Sequence, residues 1–205
     1  MSNIRPYLSA VPQVHGSCYL DPLCLVAGEV VLAEEVSVWP FAVLRGDVNS
    51  IRVGKRSNIQ DHVMLHVSHK TDGKPEGSPL LIGEDCTIGH HATLHGCTVG
   101  NRVLVGMGSI VLDDAVVEDD VMIGAGSLVP PRKRLEGGYL YVGSPVRQVR
   151  RLTAEELAFC LILRRIMCGW RKGIGRRWRV DAYRGLTVRY FQVASPAGYL
   201  KTPYP

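Results

Sequence analysis

The sequence predicts an all-β fold, a parallel β-solenoid of six-residue repeats followed by a C-terminal α-helix. Three observations carry that prediction. First, aliphatic residues recur in steps of six at Ile82, Ile88 and Leu94, and again at Val99, Val105, Val111, Val117, Ile123 and Val129. Second, glycine follows the aliphatic residue at Gly83, Gly89, Gly100, Gly106 and Gly124. Third, a small or aliphatic residue stands four places after it, as at Cys86, Ala92, Val103, Ser109, Ala115, Val121 and Ser127. A period of six is neither helical nor the alternation of a plain strand. Short repeats of this kind stack as coils that bury one continuous core. Three hexads close a triangular coil of about eighteen residues, with strands about 4.8 Å from those of the next coil.

Residues 1–13 read as a lead-in. The beat then runs through Val14, Leu20, Val26, Leu32, Val38 and Leu44, resumes at Val53, Ile59 and Leu65, and reaches Ile82 after a long gap. Grouped by threes, the coils are 14/20/26, 32/38/44, 53/59/65, 82/88/94, 99/105/111 and 117/123/129. The irregular steps, 44 to 53, 65 to 82 and 94 to 99, all follow the third face, so they collect at one corner of the prism. The longest is an excursion from Val67 to Leu80, rich in Lys, Gly, Pro and Ser. Loops held on a rigid scaffold are where function collects. The solenoid is expected over 14–135. A turn at Gly143-Ser144-Pro145 and the start of a helix follow in 136–160, with Thr153 and Glu156 as a capping box. Residues 161–205 have no clear period and read either as a basic partner-binding tail or as a non-native, frame-shifted end.

Charge divides at the same point. Residues 1–160 hold 14 Lys+Arg and 18 Asp+Glu, a balance of −4, whereas 161–205 hold 10 and 1, a balance of +9. The basic character therefore belongs to the tail, and nothing in the body suggests nucleic-acid binding. No run approaches the roughly 18 apolar residues of a membrane span, and no secretory signal is visible. Cys18, Cys24 and Cys86 fall in the small inward slot of the repeat and Cys97 lies beside one, which favours reduced thiols and a cytoplasmic setting.

Arg45, His66 and His95 each directly follow the inward residue of the third face in successive coils. Alternation along a strand points all three outward in a vertical ladder. His66 and His95 are then neighbours at roughly 5 Å backbone spacing, within reach of one metal ion. His90 leaves its coil at a different corner and points away from that pair, so it could complete the site of a neighbouring subunit. Three histidines with an open fourth position are a ligand set for catalytic zinc. His15, His62, His69 and His91 read as surface histidines.

The combination of Arg45-Gly46-Asp47, Asn58-Ile59-Gln60-Asp61, Met64-Leu65-His66, Ile88-Gly89-His90 and Leu94-His95-Gly96-Cys97 resembles the gamma-class carbonic anhydrases, in particular their short bacterial YrdA-like relatives. The resemblance covers about residues 5–157. It implies a left-handed β-helix and a homotrimer with a metal site at each subunit interface, His66 and His95 coming from one subunit and His90 from the next. It implies an ion pair between Arg45 and Asp61 across that interface with Asp47 beside it, and Gln60 and Asn58 near the metal. The implied activity is reversible hydration of carbon dioxide to bicarbonate with zinc, iron and cobalt being alternatives. The chain departs from the best-studied members in its acidic loop, since 45–52 and 67–80 offer only Asp47, Asp72 and Glu76. Two other readings stand beside this one. The first is a metal-binding trimer that is non-catalytic or hydrolyses a small substrate such as a thioester. The second is a hexapeptide-repeat acyltransferase, which needs one histidine base rather than three converging imidazoles.

Overall fold

Counting by sixes places the same residues on the same faces as the backbone pairing does. On the first face Val14, Leu32, Val53, Ile82, Val99, Val117 and Leu135 stack in parallel register. On the second, Leu20, Val38, Ile59, Ile88, Val105, Ile123 and Tyr141 do the same. The third runs Ile4, Val26, Leu44, Leu65, Leu94, Val111 and Val129. From Val26 onward these columns and the small residues of the fourth slot form one continuous buried core, with Val14 and Leu20 packed half-buried against its first coil. The computed structural model describes residues 3–158. The tail expected at 161–205 lies outside the described residues.

Two strands are longer than the repeat requires. Leu25–Leu32 and Val43–Val53 run around the corner from the third face to the first. They join those faces into a single twelve-stranded sheet, while the second face forms an eight-stranded one. Both ends of the solenoid reach beyond 14–135. At the start, Ile4–Arg5 pairs with Val26 and Ala27, and the Val26 N–H donates to the Asn3 carbonyl at 2.9 Å. At the finish, Tyr139–Gly143 continues the second face and folds back antiparallel on Val146–Arg151. In each case a strand covers backbone groups that a bare terminal coil would leave open. A helical turn follows over 154–158. Its capping box is reciprocal: the Glu156 N–H donates to Thr153 Oγ1 at 3.2 Å, and the Thr153 N–H donates to Glu156 Oε2 at 2.9 Å.

The corners have a conformational rule that the hydrophobic pattern does not reveal. Glu35, Phe41, Arg56, His62, Asp85, His91, Arg102, Asp114, Asp120 and Arg132 all have φ between 56 and 61°. Each is the third residue after an inward aliphatic. Left-handed backbone costs a non-glycine residue roughly 1–2 kcal/mol. Stacking offsets the cost, because the N–H of such a residue donates to a carbonyl of the preceding coil, as from Arg56 to Glu34 and from His91 to Asp61 at 2.9 and 3.0 Å. At the corner between the first and second faces the same positions carry charges of alternating sign. Lys55 pairs with Glu34, Arg56 with Glu84 and Asp85, and Arg102 with Asp119 and Asp120.

Among the described residues, Cys18, Cys24, Cys86 and Cys97 form no disulfide. Burial pushes the Cys86 thiol up to about 12 and Cys97 in the same direction, so both are held protonated. Among the described residues no helix is long and apolar enough to cross a membrane.

Candidate metal centre

The three register breaks of the corner between the third and first faces build one site. In the first, pairing slips by three residues between Gly28↔Gly46 and Val30↔Ile51, so Asp47, Val48 and Asn49 bulge from the sheet. In the second, the excursion after Val67 closes on itself through bridges Ser68↔Ser78 and Thr71↔Lys74. Asn49 Nδ2 ties the bulge to this loop by donating to the carbonyls of Ser68 and Glu76 at 3.1 and 2.7 Å. In the third, the five-residue step after Leu94 turns on Gly96, whose φ of 51° allows the corner to tighten. Cys97, expected beside an inward slot, is drawn into the core by this tightening.

His66 and His95 lie directly across from one another on paired strands. Their ring centroids are 5.0 Å apart, and His66 Nδ1 is 3.0 Å from His95 Nε2. Each ring is anchored at its other nitrogen, His66 Nε2 to Asp47 Oδ1 at 3.0 Å and His95 Nδ1 to Asp113 Oδ1 at 2.7 Å. An ionised carboxylate only accepts, so each anchoring nitrogen carries the proton. The two nitrogens that face each other are then both lone-pair sites, an arrangement that calls for a cation or a shared proton between them. Two nitrogens bound to one tetrahedral zinc at 2.0–2.1 Å lie about 3.3 Å apart, close to the separation observed. A histidine that ligates a metal through one nitrogen and donates from the other to a carboxylate is the usual support for such ligands. The donor set fits a divalent metal.

Electrostatics agree with the geometry. Burial lowers the His66 pKa and outweighs the opposing pull of Asp47, with Arg45 and His95 adding to the downward shift. The neutral ring is the form that binds metals. Burial opposes ionisation of Asp47, but hydrogen bonds from His66 and Arg45 more than compensate and hold its carboxyl below the usual range.

The remaining predicted residues are distributed over other parts of the coil. His90 Nδ1 meets Asp61 Oδ2 at 2.9 Å, and the His90 backbone N–H donates to Gln60 Oε1 at 3.1 Å. Arg45 pairs with Asp47 inside the chain. Within one chain, therefore, Arg45 and Asp61 have separate partners, and among the described residues no three ligand side chains converge on one point. Asn58 is buried on the second face, where its Oδ1 accepts from Ser37 Oγ at 3.0 Å and Trp39 Nε1 at 2.7 Å. It is grouped with Trp39 rather than with the His66–His95 pair. His62 and His91, read as ordinary surface residues, stack at 4.6 Å with planes 4° apart, and Phe41 stacks on His62 at 4.9 Å.

Asp113 is the site residue that sequence reasoning missed. It comes from a coil with no histidine, and its only signal is its place two residues past Val111, above His95 and beside Gly96.

Comparison with known proteins follows the same lines. Residues 96–131 match the family model described as Bacterial transferase hexapeptide (six repeats). The chain is 60% identical over 155 residues to Protein YrdA of Escherichia coli, an alignment that covers 76% of this chain and 84% of that protein. The chain belongs to the gamma carbonic anhydrase-like YrdA family. It is also 43% identical over 148 residues to Gamma carbonic anhydrase 2, mitochondrial, of Arabidopsis thaliana, covering 72% of this chain and 53% of that longer protein. Among solved structures, the hexapeptide transferase family protein of Anaplasma phagocytophilum superposes with a TM-score of 0.77 at 35% identity, covering 83% of this chain and 97% of that one. Among the described residues the fold is an all-β parallel solenoid followed by one short helix.

Proposed function

We propose that this protein is a metal-dependent carbonic anhydrase-like enzyme for the reversible hydration of carbon dioxide. The observation that carries the reading is the facing of His66 and His95 on adjacent coils, each ring braced by a carboxylate and their free nitrogens 3.0 Å apart. The 43% identity to a gamma carbonic anhydrase supports the same reaction. His66 and His95 would hold the metal from one chain and His90 from a second copy, in a homotrimer with one site at each interface. Zinc is the metal we assign, with iron and cobalt as alternatives, since neutral imidazoles accept several divalent ions.

When bound, such a metal lowers the pKa of a water from about 15.7 to about 7, which makes a nucleophile available at neutral pH. The chain's own residues prepare that chemistry. Asp47 and Asp113 keep the protons of His66 and His95 on the nitrogens turned away from the metal. Arg45 neutralises the Asp47 carboxylate, so the bulge does not leave a bare charge under the site. Gln60 pins the His90 backbone, and Asp61 orients its ring. We assign Gln60 to the reception of water or bicarbonate.

Metal analysis together with stopped-flow hydration of carbon dioxide tests the reading. Purified protein is expected to hold about one metal per chain, and His66→Ala, His90→Ala and His95→Ala each to lose it together with the activity. Retention of metal by all three variants would refute the site. A second reading, acyl transfer, is favoured by the match to the hexapeptide transferase model and by the Anaplasma structure. Transfer from acetyl-coenzyme A that survives complete chelation of metal would decide for it.

A further inference from the structure

We propose that Asp113, supported by Ser68, is a positioning residue that sets the tautomer and ring orientation of His95 and thereby tightens metal binding. The inference rests on the metal reading above and deepens it. Asp113 Oδ1 lies 2.7 Å from His95 Nδ1 and accepts a second hydrogen bond from Ser68 Oγ at 3.2 Å. The carboxylate is thus itself held, by the first turn of the excursion loop. That loop is fixed in turn by Asn49, and by Lys74, which bonds Ser78 and pairs with Asp114. The approach is open because residue 96 has no side chain: a Cβ there would overlap Asp113 Oδ1.

The arrangement is directional. With its proton drawn to Nδ1 by Asp113, His95 presents a bare Nε2 toward His66. Without that partner the ring is free to place the proton on either nitrogen and to rotate. Asp47 acts on His66 from the coil on one side, and Asp113 on His95 from the coil on the other. The two ligands are therefore aimed by carboxylates from different coils, and the excursion loop becomes part of the site through Ser68.

The test compares wild type, Asp113→Asn, Asp113→Ala and the distant control Asp120→Asn in two measurements. The first is zinc affinity by competition with a chromophoric chelator. The second is the tautomer of His95 in metal-free protein, from the nitrogen chemical shifts of labelled imidazole. Asp113→Ala is expected to weaken zinc about 10–100-fold and to leave His95 a mixture of tautomers. Asp113→Asn keeps an acceptor without the charge, so it should retain the Nδ1–H form and lose less affinity. Asp120→Asn, which breaks the Arg102 pair at the corner between the first and second faces, should change neither measurement. Wild-type tautomer and zinc affinity within about twofold in folded Asp113→Ala, with His95→Gln losing its zinc, would overturn this inference alone. Wild-type protein that takes up no zinc would overturn the metal reading and the inference together.

Discussion

Replacement of Gly96 by alanine tests the coupling between the tight corner and the metal ligands. Gly96 has φ of 51°, and an added Cβ would overlap Asp113 Oδ1 and approach Ser78 Cβ to 2.7 Å and its carbonyl to 3.1 Å. Left-handed backbone costs alanine about 1–2 kcal/mol, and forcing atoms into a packed corner costs a further ~1–3 kcal/mol. The Asp113 carboxylate must withdraw by about 1 Å to reach ordinary contact. That stretches its hydrogen bond to His95 beyond useful length. Gly126→Ala is the matched reference, since Gly126 has φ of 67° and no atom within 4 Å of an added Cβ. Urea denaturation of metal-free protein should show Gly126→Ala losing about 1–2 kcal/mol and Gly96→Ala roughly 2–5 kcal/mol. Zinc competition should show only Gly96→Ala losing affinity, by about tenfold or more. If Gly96→Ala costs no more than Gly126→Ala and binds zinc normally, the steric argument fails.

Two further outcomes follow from the packing. Leu94→Ala, fully buried between Leu65 and Val111, should destabilise by about 2–5 kcal/mol, whereas Ile110→Ala on an exposed position of the next strand should stay within about 0.5 kcal/mol. Denaturant midpoints check both, and equal losses would mean that the inward and outward faces are exchanged. Glu156 is buried, and Arg150 foremost holds its carboxyl below the usual 4.5 against the cost of burial. A lowered folded pKa gives stability that is complete above the unfolded value and lost as pH falls through the folded one. Glu156→Gln should therefore weaken the protein at pH 7 by about 1–3 kcal/mol and flatten its loss of stability below about pH 4.5. An unchanged acid limb in denaturation curves measured from pH 7 to pH 3 would refute this.

Much of the solenoid was legible because a six-residue coil repeat translates sequence distance directly into position. Val14, Leu32 and Val53 share a face because each coil must bury one large apolar side chain per edge. The same arithmetic put His66 opposite His95 and gathered every register break at one corner. Less legible were Ile4–Arg5 and Tyr139–Gly143, whose strands form because the terminal coils need their backbone groups covered. A two-residue strand such as Ile4–Arg5, or a five-residue one past the last hexad, leaves almost no pattern of the repeat. The left-handed corner residues were also hidden, since His, Asp, Arg and Glu serve there equally well once stacking supplies the hydrogen bond.

The hydrophobic beat by itself determined the fold, its core columns and the ladder of two imidazoles, because burial of one face per hexad admits a single register. The fold alone decided which groups complete that ladder. Asp47 reaches His66 through a bulge, and Asp113 reaches His95 from a coil eighteen residues further on, across the gap left by Gly96. Such contacts depend on where a loop folds back, and on side-chain reach of a few ångströms, which no linear period encodes.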